Sequence, residues 1–168
     1  VANALADAAR AQGRNDRAMD WYRRAKKVYE SVGAWEALIV RLNLSLVLML
    51  DGQYDKAHQE VVGCVEAFRN SDQRSWLAVS LIFGLPGWAF RSDWQQFDAW
   101  IEEGGKELKR QQFADPDIAN ALEVAGELAE EAGEKWRADK AYLLAVDQWQ
   151  TLNEPAKANA VSLRVGIV

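Results

Sequence analysis

The chain has 168 residues and a formal net charge of −5, with 49% hydrophobic and 27% charged residues. That is an ordinary globular composition, long enough for one domain with a real core or one short repeat array, and it is not a disordered one. The acidic balance weighs against a nucleic-acid surface, one cysteine excludes an intrachain disulfide, and no apolar run reaches the roughly 18 residues that would span a membrane.

Taken in chain order, the first stretch, "ANALADAARAQ", reads as a helix. Val1 already lies inside it, without an initiator methionine or a cap, so the chain is expected to be a fragment of a longer protein. A second helix is expected in "GRNDRAMDWYRRAKKVYE" from Gly13. Then comes "VRLNLSLVLML", Val40 to Leu50, which alternates apolar and polar as a half-buried strand does. Its place between helical stretches argues the opposite. By register it is a helix starting near Trp35 and ending at Gly52, apolar nearly all round because neighbours cover it on several sides.

After "GQYDKAHQEVVGCVEAFR" from Gly52, the stretch "SLIFGLPGWAF" opens a third unit. Proline inside a helix costs about 3 kcal/mol and each glycine up to about 1 kcal/mol. A helix kinked or broken at Gly84, Pro86 and Gly87 is therefore expected, the alternative being a helix that neighbour packing holds, with the Ile82 carbonyl left without its bond. Next follow "SDWQQFDAWIEEGGKELK" from Ser92 and "ANALEVAGELAEEA". The latter starts at Asp115-Pro116, a cap and a first-turn proline, and ends at Gly133. "GEKWRADKAYLLAVDQWQ" completes the fourth unit, and "PAKANAVSLRVGIV" reads as a final helix that caps the fourth unit's apolar face.

The second helices align with one another. Ala18, Ala57, Phe97 and Ala138 are spaced 39, 40 and 41 residues apart. Four residues on stand Tyr22, Val61, Ile101 and Tyr142. Seven on stand the small residues Ala25, Cys64, Gly104 and Ala145, and eleven on Tyr29, Phe68, Leu108 and Trp149. Offsets of 0, 4, 7 and 11 trace one helix face, and self-similarity near 40 residues signals a solenoid. In the first helices, Ala6, Ser45 and Gly126 align as small residues at a close crossing.

These residues resemble the tetratricopeptide repeat, a helix-turn-helix unit with small residues at both crossings and an aromatic in the second helix. Ala18, Ala57, Ala138, Tyr22 and Tyr142 match that pattern, whereas Phe97 and "GLPG" depart from it. The longer period looks like the variant in kinesin light chains and in large bacterial signalling proteins that fuse Ser/Thr kinase and ATPase modules. The resemblance implies an all-α, right-handed superhelix of about four repeats plus a C-terminal capping helix. The expected single domain spans 1–168, with repeats near 1–33, 34–73, 74–114 and 115–153 and a final helix at 154–168.

Catalysis is not expected. His58 is the only histidine, and it reads as a solvated residue in the first turn of a second helix. Cys64 occupies a small crossing position and reads as packing. Adjacent carboxylates such as Glu102-Glu103 and Glu130-Glu131 point apart on a helix. There is no phosphate-cradling loop, metal-ligand spacing or nucleotide fingerprint, so no cofactor or metal is expected. The run "RRAKK", Arg23 to Lys27, fits a solvated helix face rather than a nucleic-acid contact. Trp21, Trp100 and Trp149 read as cement between repeats.

The resemblance implies that first helices line a concave groove. By register the groove would offer Asn3, Asp7 and Arg10, then Ile39, Leu42, Asn43, Leu46 and Met49, then Val79, Ile82, Phe83 and Phe90. Its far end would be acidic, through Asn120, Glu123, Glu127, Glu130 and Glu131. The lysines and arginines of the family's carboxylate clamp are absent, so a chaperone-tail binder is not expected. The expected role is a cytoplasmic protein-interaction scaffold that takes a protein or peptide segment with apolar side chains and a basic end. No nucleic-acid or membrane partner is expected. A sensor of a small peptide or metabolite, controlling an attached effector, is the alternative. An enclosed pocket would favour the sensor and an open shallow array the scaffold.

Overall fold

A computed structural model describes residues 2–166. It is all-helical, with α1 at Ala2–Ala11, α2 at Asn15–Ser31, α3 at Glu36–Leu50, α4 at Tyr54–Arg69 and α5 at Arg74–Phe90. The chain continues with α6 at Trp94–Gln111, α7 at Pro116–Glu131, α8 at Lys135–Thr151 and α9 at Pro155–Val165. Each helix packs on the next except at the α6–α7 junction, where α7 packs on α5 instead, so four successive hairpins and a ninth helix form a helical repeat array. Among the described residues there is no strand.

All four hairpins turn in the same way. In each, the backbone N–H of the residue directly after the turn's left-handed residue donates to a carbonyl in the last turn of the first helix: Arg14 to Ala9, Gln53 to Leu48, Asp93 to Trp88 and Glu134 to Ala129. Gly13, Gly52 and Gly133 supply the positive φ that this closure requires, at +68°, +74° and +81°. In the third hairpin Ser92 takes that conformation, with φ +56°. A left-handed backbone costs a residue with a side chain roughly 1 kcal/mol. Ser92→Gly should therefore raise stability by about 0.5–1 kcal/mol, read as a higher urea midpoint.

The repeat stripe forms the core. Its sixteen positions are buried, apart from the half-buried Tyr29. The crossings depend on small residues: a Cβ on Gly126 would lie 2.5 Å from the Tyr142 ring. Helix α3 is buried at Leu42, Leu44, Ser45, Leu46, Val47, Leu48 and Met49, on every side. That explains why its polar-apolar alternation did not make a strand.

Of the kink or break expected at "GLPG", the break does not occur. Helix α5 runs through Pro86 to Phe90. Its neighbours α4, α6 and α7 hold it along its length. Gly84 and Gly87 serve as contact surfaces: a Cβ there would lie 2.2 Å from Trp100 Cζ3 and 2.4 Å from His58 Cβ. The glycines thus let α6 and α4 pack against the α5 backbone, and that packing offsets the local cost of the proline.

Successive second helices are also tied by ion pairs on their outer edge. Lys26 reaches Glu60 at 2.8 Å, Arg69 reaches Glu103 at 2.5 Å, and Arg137 reaches Asp98 at 2.8 Å.

Candidate binding site

Helix α7 packs along α5, and α3 touches both more lightly. Leu42, Leu46, Met49, Val79, Ile82 and Phe83 are at most 7% exposed, so they belong to the core and offer no open groove floor. Ile39 and Asn43 are half-buried. Phe90 stands apart from the others, exposed at the end of α5, with its ring 5.7 Å from that of Tyr54.

What remains of the apolar middle is a cavity of about 140 Å³. Leu42, Asn43, Val79 and Phe83 line it, as the register placed them together. Trp76, Phe113, Asp115, Asp117 and Ile118 complete the wall. Sequence reasoning missed this second set. Phe113 lies between helices, where no periodicity marks it, and Asp115 was legible only as a cap. That cap is present, the Asp115 carboxylate accepting from the Asp117 N–H at 2.8 Å.

Asp117 also reaches across the array. Its carboxylate accepts from Arg10 at 3.0 Å, joining α1 of the first hairpin to α7 of the fourth. Burial raises the Asp117 pKa, against the lowering effect of Arg10 and with a further push from Asp115. Its negative charge is thus only partly compensated. The Asn43 side-chain amide makes no hydrogen bond to any group among the described residues. The cavity therefore combines aliphatic and aromatic walls with a free amide and two carboxylates, a set suited to an apolar stem that ends in a donor or a cation.

The acidic end is already occupied by the chain's own donors. Glu123 accepts from Trp149 Nε1 at 2.6 Å, Glu127 from Arg164 at 2.7 Å, and Glu130 from the Tyr142 hydroxyl at 2.9 Å. Arg164 also donates to the Tyr142 hydroxyl at 3.0 Å. The cation expected from a ligand comes from α9. The first hairpin shows a similar pairing, with the Tyr22 hydroxyl donating to Asp7.

His58 is not solvated. It is 2% exposed, under Gly87, with its ring centroid 4.1 Å from that of Trp88. Burial pushes its pKa down to about 4, and Arg91 adds to the effect. Cys64 is fully buried and its thiol is pushed up to about 11, mainly by burial, which leaves it a packing residue and not a nucleophile at neutral pH. In the basic run, Arg23, Arg24 and Lys27 are exposed, while Lys26 is tied to Glu60. No cluster of His, Cys, Asp or Glu suited to a metal ion occurs among the described residues, and no described helix is long and apolar enough to cross a membrane.

The chain matches no protein-family model and no curated protein sequence.

Proposed function

We propose that this chain is a non-catalytic protein-interaction scaffold of the tetratricopeptide kind, a cytoplasmic part of a larger signalling protein. The observation that carries the reading is the cavity between α3, α5 and α7, whose apolar walls and uncommitted Asn43 face the concave side of a repeat array. About 140 Å³ accommodates a single side chain rather than a whole peptide. A partner segment would insert one residue there, an aliphatic stem with a basic or amide tip. It would lie across the rim formed by Trp76 and Phe113.

One observation favours the sensor alternative. Arg10 and Asp117 link the first and fourth hairpins, so the concave side is closed more tightly than an open array requires. A small amine or amide could fill the same cavity and strengthen or loosen that link.

The test uses Asn43→Leu, which blocks the cavity from a half-buried position without removing a hydrogen bond. The expected result is a peptide-array signal for basic-apolar segments with the unaltered chain and at least tenfold weaker binding with the variant. No peptide signal, together with a small amine that raises the melting temperature of the unaltered chain alone, would transfer the function to the sensor. If every ligand binds both forms equally, the cavity is not the site.

A further inference from the structure

We propose a second interaction surface on the opposite side of the array: the furrow between α6 and α8 receives an amphipathic helical segment of a partner protein, with an apolar ridge flanked by acidic residues. The proposal is independent of the concave cavity.

Helices α6 and α8 touch only lightly. Ion pairs hold them together toward their N-terminal halves, Asp98 with Arg137 and Glu102 with Lys140. Beyond those pairs the helices leave a depression of about 370 Å³ floored by Ile101, Gly105, Leu143 and Leu144. A neighbouring depression of about 490 Å³ shares Lys109 and Asp147 with it and continues to Gln112 and Thr151. From Lys140 to Thr151 the furrow follows α8 for about 17 Å at 1.5 Å per residue, enough for three turns of a docked helix.

Gly105 is the feature that packing does not explain. Its register position is filled by Val65 in the second unit and Val146 in the fourth. It has no positive φ. A Cβ there would meet only Leu144, at an ordinary 3.5 Å. Its neighbour Gly104 differs, because a Cβ there would lie 2.9 Å from Ile82 Cδ1. Glycine is the poorest helix former after proline, so a mid-helix glycine with room for a side chain weakens the fold without need. What its absent side chain creates is the floor of the furrow. Leu143, 45% exposed, adds an apolar contact that the core does not use.

Charge selects the occupant. Lys106, Lys109 and Lys140 rim the first depression, against Glu102 and Asp147. Glu102 is shared between Lys106 and Lys140, at 3.1 and 2.9 Å. Lys109 has no ion pair among the described residues. The rim is thus net positive on a chain of net charge −5. An acidic flank on the partner would meet Lys109 directly and Lys106 by exchange with Glu102, while its apolar ridge covers Leu143 and Gly105.

The experiment measures fluorescence anisotropy with two labelled 14-residue peptides. Both carry leucines along one helix face; one has glutamates beside them and the other serines, so that neither carries the basic tip the concave cavity would take. The unaltered chain should bind the glutamate peptide at least tenfold more tightly than the serine peptide. Gly105→Leu should weaken that binding at least tenfold while raising the melting temperature by a few degrees, a combination that a purely structural role for Gly105 would not produce. Lys106→Glu with Lys109→Glu should remove the preference between the peptides. Equal binding of both peptides by the unaltered chain, or undiminished binding by Gly105→Leu, would overturn the proposal. A doubled mass in sedimentation that Gly105→Leu abolishes would overturn the choice of occupant in favour of a second copy of the chain.

Discussion

Alanine at Gly84 or Gly87 should destabilise the protein by about 2 kcal/mol, although the same change in an open helix would stabilise it by about 1 kcal/mol. The sign is decided by the space available. A Cβ on Gly84 would stand 2.2 Å from Trp100 Cζ3 and 2.7 Å from its Cε3, far inside contact distance. The Trp100 ring cannot swing clear, since the Trp88 ring meets it edge-on with centroids 5.3 Å apart. On Gly87 the obstruction is the Cβ of His58, at 2.4 Å, so α4 itself would have to move. Overpacking of this kind costs about 1–3 kcal/mol, and the upper end applies where the obstacle is rigid. Subtracting the propensity gain leaves the expected loss. Urea unfolding of Gly84→Ala, Gly87→Ala and Gly105→Ala separates the cases: the first two midpoints should fall and the third should rise. If all three rise, α4 and α6 do not sit against α5 as described.

These glycines show where sequence reasoning stops. The second helices were legible because their contacts are periodic along the chain: Ala57, Val61, Cys64 and Phe68 all face one way, and all are buried. The helical state of α3 was legible from register, despite its local alternation. "GLPG" was read through its local cost alone, because the side chains that need its bareness lie elsewhere, Trp100 on α6 and His58 on α4. His58 was read as solvated from its place in the first turn of a second helix; the groups that bury it come from about 30 residues further on. The concave side failed in a different way. Register grouped Leu42, Asn43, Val79 and Phe83 as one site, and they do line one cavity. It could not say how closely α7 packs along α5, and that approach turns an open groove into a side-chain-sized space. Nor could it pair Glu127 with Arg164 or Asp117 with Arg10, since ion pairs between distant helices leave no periodic trace.

Lowering the pH from neutral to about 4 should cost the fold about 3 kcal/mol through His58 alone. The imidazole is 2% exposed, and its Nδ1 is buried without a hydrogen-bond partner. Burial is the main reason its pKa falls to about 4; Arg91 lowers it further, while the Gly84 backbone, Asp55 and Asp93 pull it up. In the unfolded chain the same group titrates near 6.5. Above that value both states are neutral and the stabilisation is complete. As the pH falls the unfolded chain takes up its proton first, and the loss grows until the folded chain protonates as well, near 4. A difference of about 2.5 pKa units corresponds to about 3 kcal/mol. Carboxylates at their ordinary values titrate in the lower part of this window, so the His58 share must be measured as a difference. His58→Leu, a neutral side chain of similar volume, should lose much less stability between about pH 6.5 and 4.5 than the unaltered chain. Parallel losses in the two proteins, followed by urea midpoints, would show that the proton goes elsewhere. The charge would appear where α4 and α6 grip α5, the helix that carries Val79 and Phe83 into the cavity. Ligand binding at Asn43 should therefore weaken over the same pH range, and less steeply in His58→Leu, where only the cavity's own carboxylates, Asp117 with its pKa raised by burial among them, still titrate.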